Sequence, residues 1–233
     1  MKSNILAVIL AREGSKGVPK KNLLELGGTS LLGHAIRSTN QCKHKMRVVV
    51  STESDEIKTE ALKHNAKVPF KRPSNLADDM SSTWDVMRHA VIWLEENENW
   101  LTDILIVLQP TTPFRDSNHI DSVLDKMKET GCSVCMTVKQ TDYPPQWMYH
   151  RDNNGVLFPL LQGVRPKRRQ DSIPIYQPNG MVYALKRHRL DEDEPILADD
   201  TQSVVIDSDI SINIDDPRDY ELAKLVWKKI NAS

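Results

Sequence analysis

The chain has no apolar run near the ~20 residues that cross a bilayer, and Met1-Lys2-Ser3-Asn4 leads into apolar residues without the plan of a secretory leader. A cytoplasmic protein without a membrane partner is therefore expected. Cysteine is scarce: three in 233 residues is an odd number that offers no disulfide framework and suits a reducing compartment. Neither charge sign dominates, and a formal net charge of -1 argues against a general nucleic-acid or membrane-surface binder, whose basic excess shows in the total. No repeat or low-complexity linker divides the chain. A length of 233 residues with 39% hydrophobic content therefore predicts one domain over 1–233. Two common phosphate motifs are missing as well, the Walker loop Gly-x-x-x-x-Gly-Lys-Ser/Thr and the dinucleotide fingerprint Gly-x-Gly-x-x-Gly.

Apolar runs predict strands at Ile5 to Leu10, Arg47 to Ser51, Ile104 to Leu108, Cys132 to Val138, Gly180 to Leu185 and Ser203 to Ile214. Helical spacing lies between several of them. Trp84, Met87, Val91 and Leu94 recur behind a capping Ser82, and Tyr220, Ala223, Trp227 and Ile230 follow Asp216-Pro217, with proline at the first helical position. The alternation predicts an α/β fold, a doubly wound and mainly parallel sheet with helices on both faces. It lapses between about 139 and 178, where Tyr143-Pro144-Pro145, Trp147, Pro159 and the turn signal Asn154-Gly155 indicate hairpins and loops. Cys132 and Cys135 have the spacing of a zinc half-motif. Within a strand, however, positions i and i+3 face opposite sides, so both are expected to be structural. The seven histidines show no paired metal spacing.

The stretch Ala11 to Asn22 carries the most chemistry. It follows the first predicted strand, where a buried parallel strand delivers its loop to the carboxyl edge of the sheet. Gly14 and Gly17 let backbone approach a ligand, and Arg12, Lys16, Lys20 and Lys21 supply cations, a combination suited to a polyphosphate. A solvated basic turn is the alternative for such a loop taken alone.

This stretch resembles the opening signature of the acylneuraminate cytidylyltransferases, enzymes that activate sialic and related nonulosonic acids as CMP-sugars. Further tags follow in that family's order: Arg72-Pro73 with Asp78, Ser82-Thr83, Leu108-Gln109-Pro110-Thr111-Thr112-Pro113, Arg169-Gln170 and Pro178-Asn179-Gly180. Together they span nearly the whole chain.

The resemblance implies a Rossmann-like nucleotidyltransferase that joins CTP to a nonulosonic acid and releases pyrophosphate, with 139–178 as a projecting dimerisation segment of a homodimer. Arg12, Lys16 and Lys21 are then the catalytic cations, and Ala11, Arg12, Gly14, Ser15, Lys16, Asn22, Arg72 and Ser82 hold the nucleotide. Gln109, Thr111, Thr112, Asn179 and Arg169 read the sugar acid, Arg169 by binding its carboxylate across the dimer. The implied cofactor is Mg2+, held by Asp215 and by Asn213, which stands where the family usually has an aspartate. On a strand over 209–215, Ile210, Ile212 and Ile214 enter the core, while Asp209, Ser211, Asn213 and Asp215 share the other face. Glu13 and Gln177 also depart from the pattern, and Tyr143 to Trp147 offers no lysine for a carboxylate. These departures leave the sugar open. The rivals are a 3-deoxy-octulosonate-type cytidylyltransferase and a non-catalytic nucleotide-sugar binder.

Overall fold

A computed structural model of the protein describes residues 3–14, 17–78, 80–141, 143, 145–163, 168, 173–196 and 198–232. The strands are β1 (Ile5–Leu10), β2 (Glu25–Leu26), β3 (Thr29–Ser30), β4 (Arg47–Ser51), β5 (Ile104–Leu108), β6 (Val134–Gln140), β7 (Tyr149–Arg151), β8 (Leu157–Pro159), β9 (Tyr176–Lys186) and β10 (Gln202–Val205). The α-helices are α1 (Leu31–Asn40), α2 (Asp55–Lys63), α3 (Thr83–Glu98), α4 (Ser117–Thr130) and α5 (Pro217–Asn231). Among the described residues the main sheet has six strands in the order β10-β6-β9-β5-β1-β4. β1 pairs in parallel with β4 and β5, and β10 with β6, whereas β9 runs antiparallel between β5 and β6. The reversal follows from the path of the chain. β6 leaves at the carboxyl edge and β9 returns from that same edge, so no crossover turns it parallel.

Alternation along β1 separates two apolar layers. Ile5, Ala7 and Ile9 pack with α1, α2 and α4, while Leu6 and Val8 pack against α3 through Met87, Ala90, Val91 and Leu94. Ser82 caps α3 by accepting from Trp84 N at 3.1 Å. Asp216 caps α5, and Pro217 opens it. A third cluster joins Leu26 and Leu31 to Ile212, Ile214 and Ala223, with Trp227 packed against it. The expected apolar stripe of α5 ends there, because Ile230 is exposed.

Three sequence expectations change. The strand expected over Ser203 to Ile214 stops at Val205, and residues 209–215 run without a strand partner. Ile212 and Ile214 are buried as the alternation required, but so is Ser211, because its hydroxyl accepts from Asn179. Cys132 precedes β6 rather than opening it, so it joins the same apolar cluster as Cys135, and both remain free thiols. Burial pushes the Cys135 thiol up to about 12, so it is inert. Among the described residues no group of histidine, cysteine, aspartate and glutamate is arranged to hold a metal, and no helix is long and apolar enough to cross a membrane.

The segment from β6 to β9 forms the β7/β8 hairpin. Its turn is held by Asp152 Oδ1, which accepts from Asn154 N at 2.9 Å and Val156 N at 2.8 Å, with Gly155 at φ +91. Among the described residues, more than half of the well-exposed large apolar side chains lie between 143 and 176, including Trp147, Leu157, Phe158 and Leu160.

Candidate active site

The loop after β1 is anchored from both sides. Ala11 N donates to Ser51 O at 3.2 Å, continuing the β1/β4 pairing, and Asn22 Nδ2 donates to Arg12 O at 2.8 Å. Asn22 is buried by this clasp and also lines the cleft above it. A Cβ on Gly17 would sit 2.1 Å from the carbonyl oxygen of Asp215, so only glycine lets this loop reach the segment before α5. Gly14 meets nothing within 4 Å, and a side chain there would point into open space. Ser15 and Lys16 lie outside the described residues.

A cleft of about 420 Å3 opens beside this loop, lined by Arg12, Lys21, Asn22, Arg72, Gln109, Thr111 and Asp215 among others. Arg72 is buried, its Nε donating to Ser51 Oγ at 3.1 Å and its Nη2 to the Ser51 carbonyl. Burial pushes its pKa down to about 10, against the pull of Glu53 and with a push from Arg12. A guanidinium held this way stays charged at neutral pH. Two guanidiniums close enough to repel, with Lys21 nearby, make the cleft a site for an anion. Arg12 Nη1 donates to Ala77 O at 3.5 Å. Ser82 spends its hydroxyl on the cap of α3, and its neighbours Ser81 and Thr83 line the cleft instead.

One wall is a chain of side-chain bonds. Thr111 Oγ1 donates to Asn213 Oδ1 at 2.6 Å, Asn213 Nδ2 donates to Asp215 Oδ2 at 2.6 Å, and Lys21 Nζ meets Asp215 Oδ1 at 2.9 Å. The side chain of Asp215 is 68% exposed, so an incoming ligand can reach it. Asn213 differs: its oxygen takes the threonine proton and its nitrogen orients the aspartate. The structure therefore gives Asn213 a bridging part, with Asp215 as the accessible oxygen donor. As a test of fit, the reachable carboxylate of Asp215, with the exposed Asp78 also lining this anion-binding cleft, suits magnesium, which takes one or two protein carboxylates and draws its remaining ligands from phosphates and water.

A second cleft, of about 550 Å3, lies across that wall and includes Gln109, Lys139, Asn179, Ser211 and Asn213. Gln109 lines both clefts and so marks their junction. Asn179 is saturated: it accepts from Thr137 Oγ1 at 2.6 Å and Met181 N at 3.2 Å, and donates to Ser211 Oγ at 3.0 Å. Thr112 turns inward, donating to Gln109 O at 3.0 Å and accepting from Arg115 Nη1 at 2.8 Å. Its completely buried hydroxyl shapes the loop after β5 and does not line either cleft, contrary to the sequence expectation. Arg169 lies outside the described residues.

Sequence reasoning missed Arg115 and Lys139. Arg115 is buried, and its Nη1 also donates to Gln109 O at 3.0 Å and Met181 O at 2.9 Å, tying the loop after β5 to β9. Burial pushes it down to about 9, and three acceptors on one nitrogen fix its place. The available signal was an arginine two residues past Pro113, in a segment otherwise read for its hydroxyls. Lys139 is the first polar residue after an apolar strand run, a position at which a side chain emerges at the sheet edge.

Comparison with known proteins identifies relatives of this chain. Residues 6–158 match a family model described as cytidylyltransferase. The chain is 33% identical over 227 residues to the CMP-N,N'-diacetyllegionaminic acid synthase of Legionella pneumophila, covering 94% of each. It is 30% identical over 234 residues to an N-acylneuraminate cytidylyltransferase of Escherichia coli, covering 99% of this chain and 54% of that one. A solved CMP:2-keto-3-deoxy-manno-octonic acid synthetase complexed with CTP superposes with a TM-score of 0.70 over 98% of this chain and 100% of that one. At 19% identity it speaks for the fold alone.

Proposed function

The chain belongs to the cytidylyltransferase family, and from that premise we propose that it joins CTP to a nonulosonic acid, giving a CMP-sugar and pyrophosphate. The observation that carries this reading is the pair of clefts meeting at Gln109, one lined by the cations Arg12, Lys21 and Arg72 and the other mainly by neutral polar groups with Lys139 and Asp219. A sugar oxygen attacks the α-phosphorus at that junction, and the bond from phosphorus to the pyrophosphate oxygen breaks. Arg12 and Arg72 hold and neutralise the triphosphate, joined by Lys16 and by the backbone amides of the loop after β1. Lys21 stands against Asp215, where its charge restrains the carboxylate until the nucleotide enters. Gln109 and Thr111 orient the sugar oxygen from the end of β5. Thr112 and Arg115 hold that end in place, and Asn179 ties β9 to β6 and to Ser211.

Asp215 would hold Mg2+, oriented by Asn213. When bound, the ion would supply Lewis-acid stabilisation of phosphate charge. The exposed apolar side chains of the β7/β8 segment support a homodimer, in which Arg169 reaches the carboxylate of the partner's substrate. A dimer also gives those side chains a reason to be apolar. The absence of a membrane-spanning helix among the described residues is compatible with a cytoplasmic site of action.

Pyrophosphate release from the protein with CTP, Mg2+ and a panel of keto acids tests the reading. Release is expected with N-acetylneuraminate, legionaminate or pseudaminate. Release with 3-deoxy-octulosonate alone would move the chain to that class of cytidylyltransferase. CTP binding without release from any acid would make it a non-catalytic binder.

A further inference from the structure

Lys139, near the end of β6, points its ammonium into the second cleft and makes one bond there, to Ser211 O at 3.5 Å. It has no carboxylate partner among the described residues. Two described lysines close to the site are neutralised: Lys21 by Asp215 at 2.9 Å and Lys20 by Glu56 at 2.6 Å. The acid across the cleft is engaged elsewhere, since Asp219 Oδ2 accepts from the Asp215 and Asp216 amides, each at 2.9 Å. Directly opposite Lys139 in the β6/β9 ladder stands Gln177, which is neutral and lines the same cleft. A half-buried ammonium with three donors and one weak acceptor, in a polar concavity, is short of an anion.

We propose that Lys139 is the cation with which each subunit holds the carboxylate of the sugar acid bound in its own second cleft. The inference rests on the cytidylyltransferase reading above. In a 2-keto sugar acid in its ring form, the attacking hydroxyl and the carboxylate share one carbon. A hydroxyl delivered to the junction at Gln109 therefore brings the carboxylate into the cleft that Gln109 shares with Lys139. A point charge with rotatable donors accepts this group without demanding one bidentate geometry. Lys139 acts within its own chain, whereas Arg169 was assigned above to the partner's substrate, so one carboxylate can receive both.

Lys139→Gln, Lys139→Arg and the unsubstituted protein are compared by calorimetry, with the sugar acid and its methyl ester as probes, and by KM for acid and CTP separately. Lys139→Gln is expected to weaken acid binding about tenfold or more and to raise its KM, to leave the KM for CTP within about twofold, and to lose most of the preference for acid over ester. Lys139→Arg should recover part of that preference. Equal losses for acid and ester, a matching rise in the KM for CTP, or unchanged acid binding would each overturn the assignment. Because calorimetry needs no turnover, the two readings can fail separately. Selective acid binding without catalysis would remove the catalytic reading, and catalysis with full acid binding in Lys139→Gln would remove the anchor.

Discussion

The two clefts that meet at Gln109 are built differently. The first rests on the edges of three parallel strands, β4, β1 and β5, whose neighbouring registers place the loop after β1 beside Ser51 and Gln109. Its cations are fixed by backbone carbonyls and short side-chain bonds. The second rests on an antiparallel pair, β6 and β9, whose register shifts between Met136 and Val138, and on an irregular stretch before α5. It has one lysine, a saturated asparagine and neutral hydroxyls. A phosphate chain presents the same charge in every nucleotide, so a rigid cationic frame serves it. Sugar acids differ in their substituents, and an irregular wall can change residue by residue without disturbing the sheet.

Breaking the wall between the clefts should have the largest effect. Asp215→Ala removes the accessible carboxylate, and turnover is expected to fall about a hundredfold or more while CTP still binds through Arg12 and Arg72. Equilibrium CTP binding beside single-turnover rates checks this, and near-normal turnover would strip Asp215 of its metal role. Next comes the cationic frame. Arg12→Ala forfeits charge-assisted bonds worth about 1.5–3 kcal/mol, so kcat/KM for CTP should drop about 10- to 100-fold with acid binding unchanged. A change confined to the acid would invert the assignment of the two clefts.

The smallest effect on the single chain belongs to the β7/β8 hairpin. Leu157 is 57% exposed, so Leu157→Asp should shift the stability of an isolated chain by under about 0.5 kcal/mol yet lower the particle mass in sedimentation. If Arg169 serves the partner's site, activity falls as the mass does. A variant of unchanged mass would remove the hairpin from the dimer contact.

The first cleft was more legible than the second for a physical reason. The runs Ile5 to Leu10, Arg47 to Ser51 and Ile104 to Leu108 are apolar on both faces and end at polar loops, so their bounds and their shared edge follow from pattern alone. At 209–215 the isoleucine alternation reads as a strand, but the segment joins no ladder, and Ile212 and Ile214 are buried against Leu26, Leu31 and Ala223. Alternating burial needs only an extended chain over an apolar floor, and periodicity cannot tell that from a paired strand. Thr112 and Asn179 were read as substrate contacts because the resemblance places residues of the sugar site at their positions. Their partners, Arg115 and Ser211, are set by tertiary packing that no local spacing encodes. Lys139 escaped notice for the converse reason: only the structure reveals a missing partner.

The near-contact of Gly17 with the carbonyl of Asp215 has a consequence for the order in which the molecule is made. Lys21 and Asp215 are 194 positions apart, and the wall they share draws on the segment that leads into α5. A ribosome-bound chain that stops short of residue 215 holds β1, β4 and β5 with their basic loop but lacks the surface that glycine was left bare to meet. Closing so long a loop comes late, once the local helices and the parallel strands are in place. The basic loop and the wall that faces it are thus made at different moments of synthesis, the second only after residue 215 has been added.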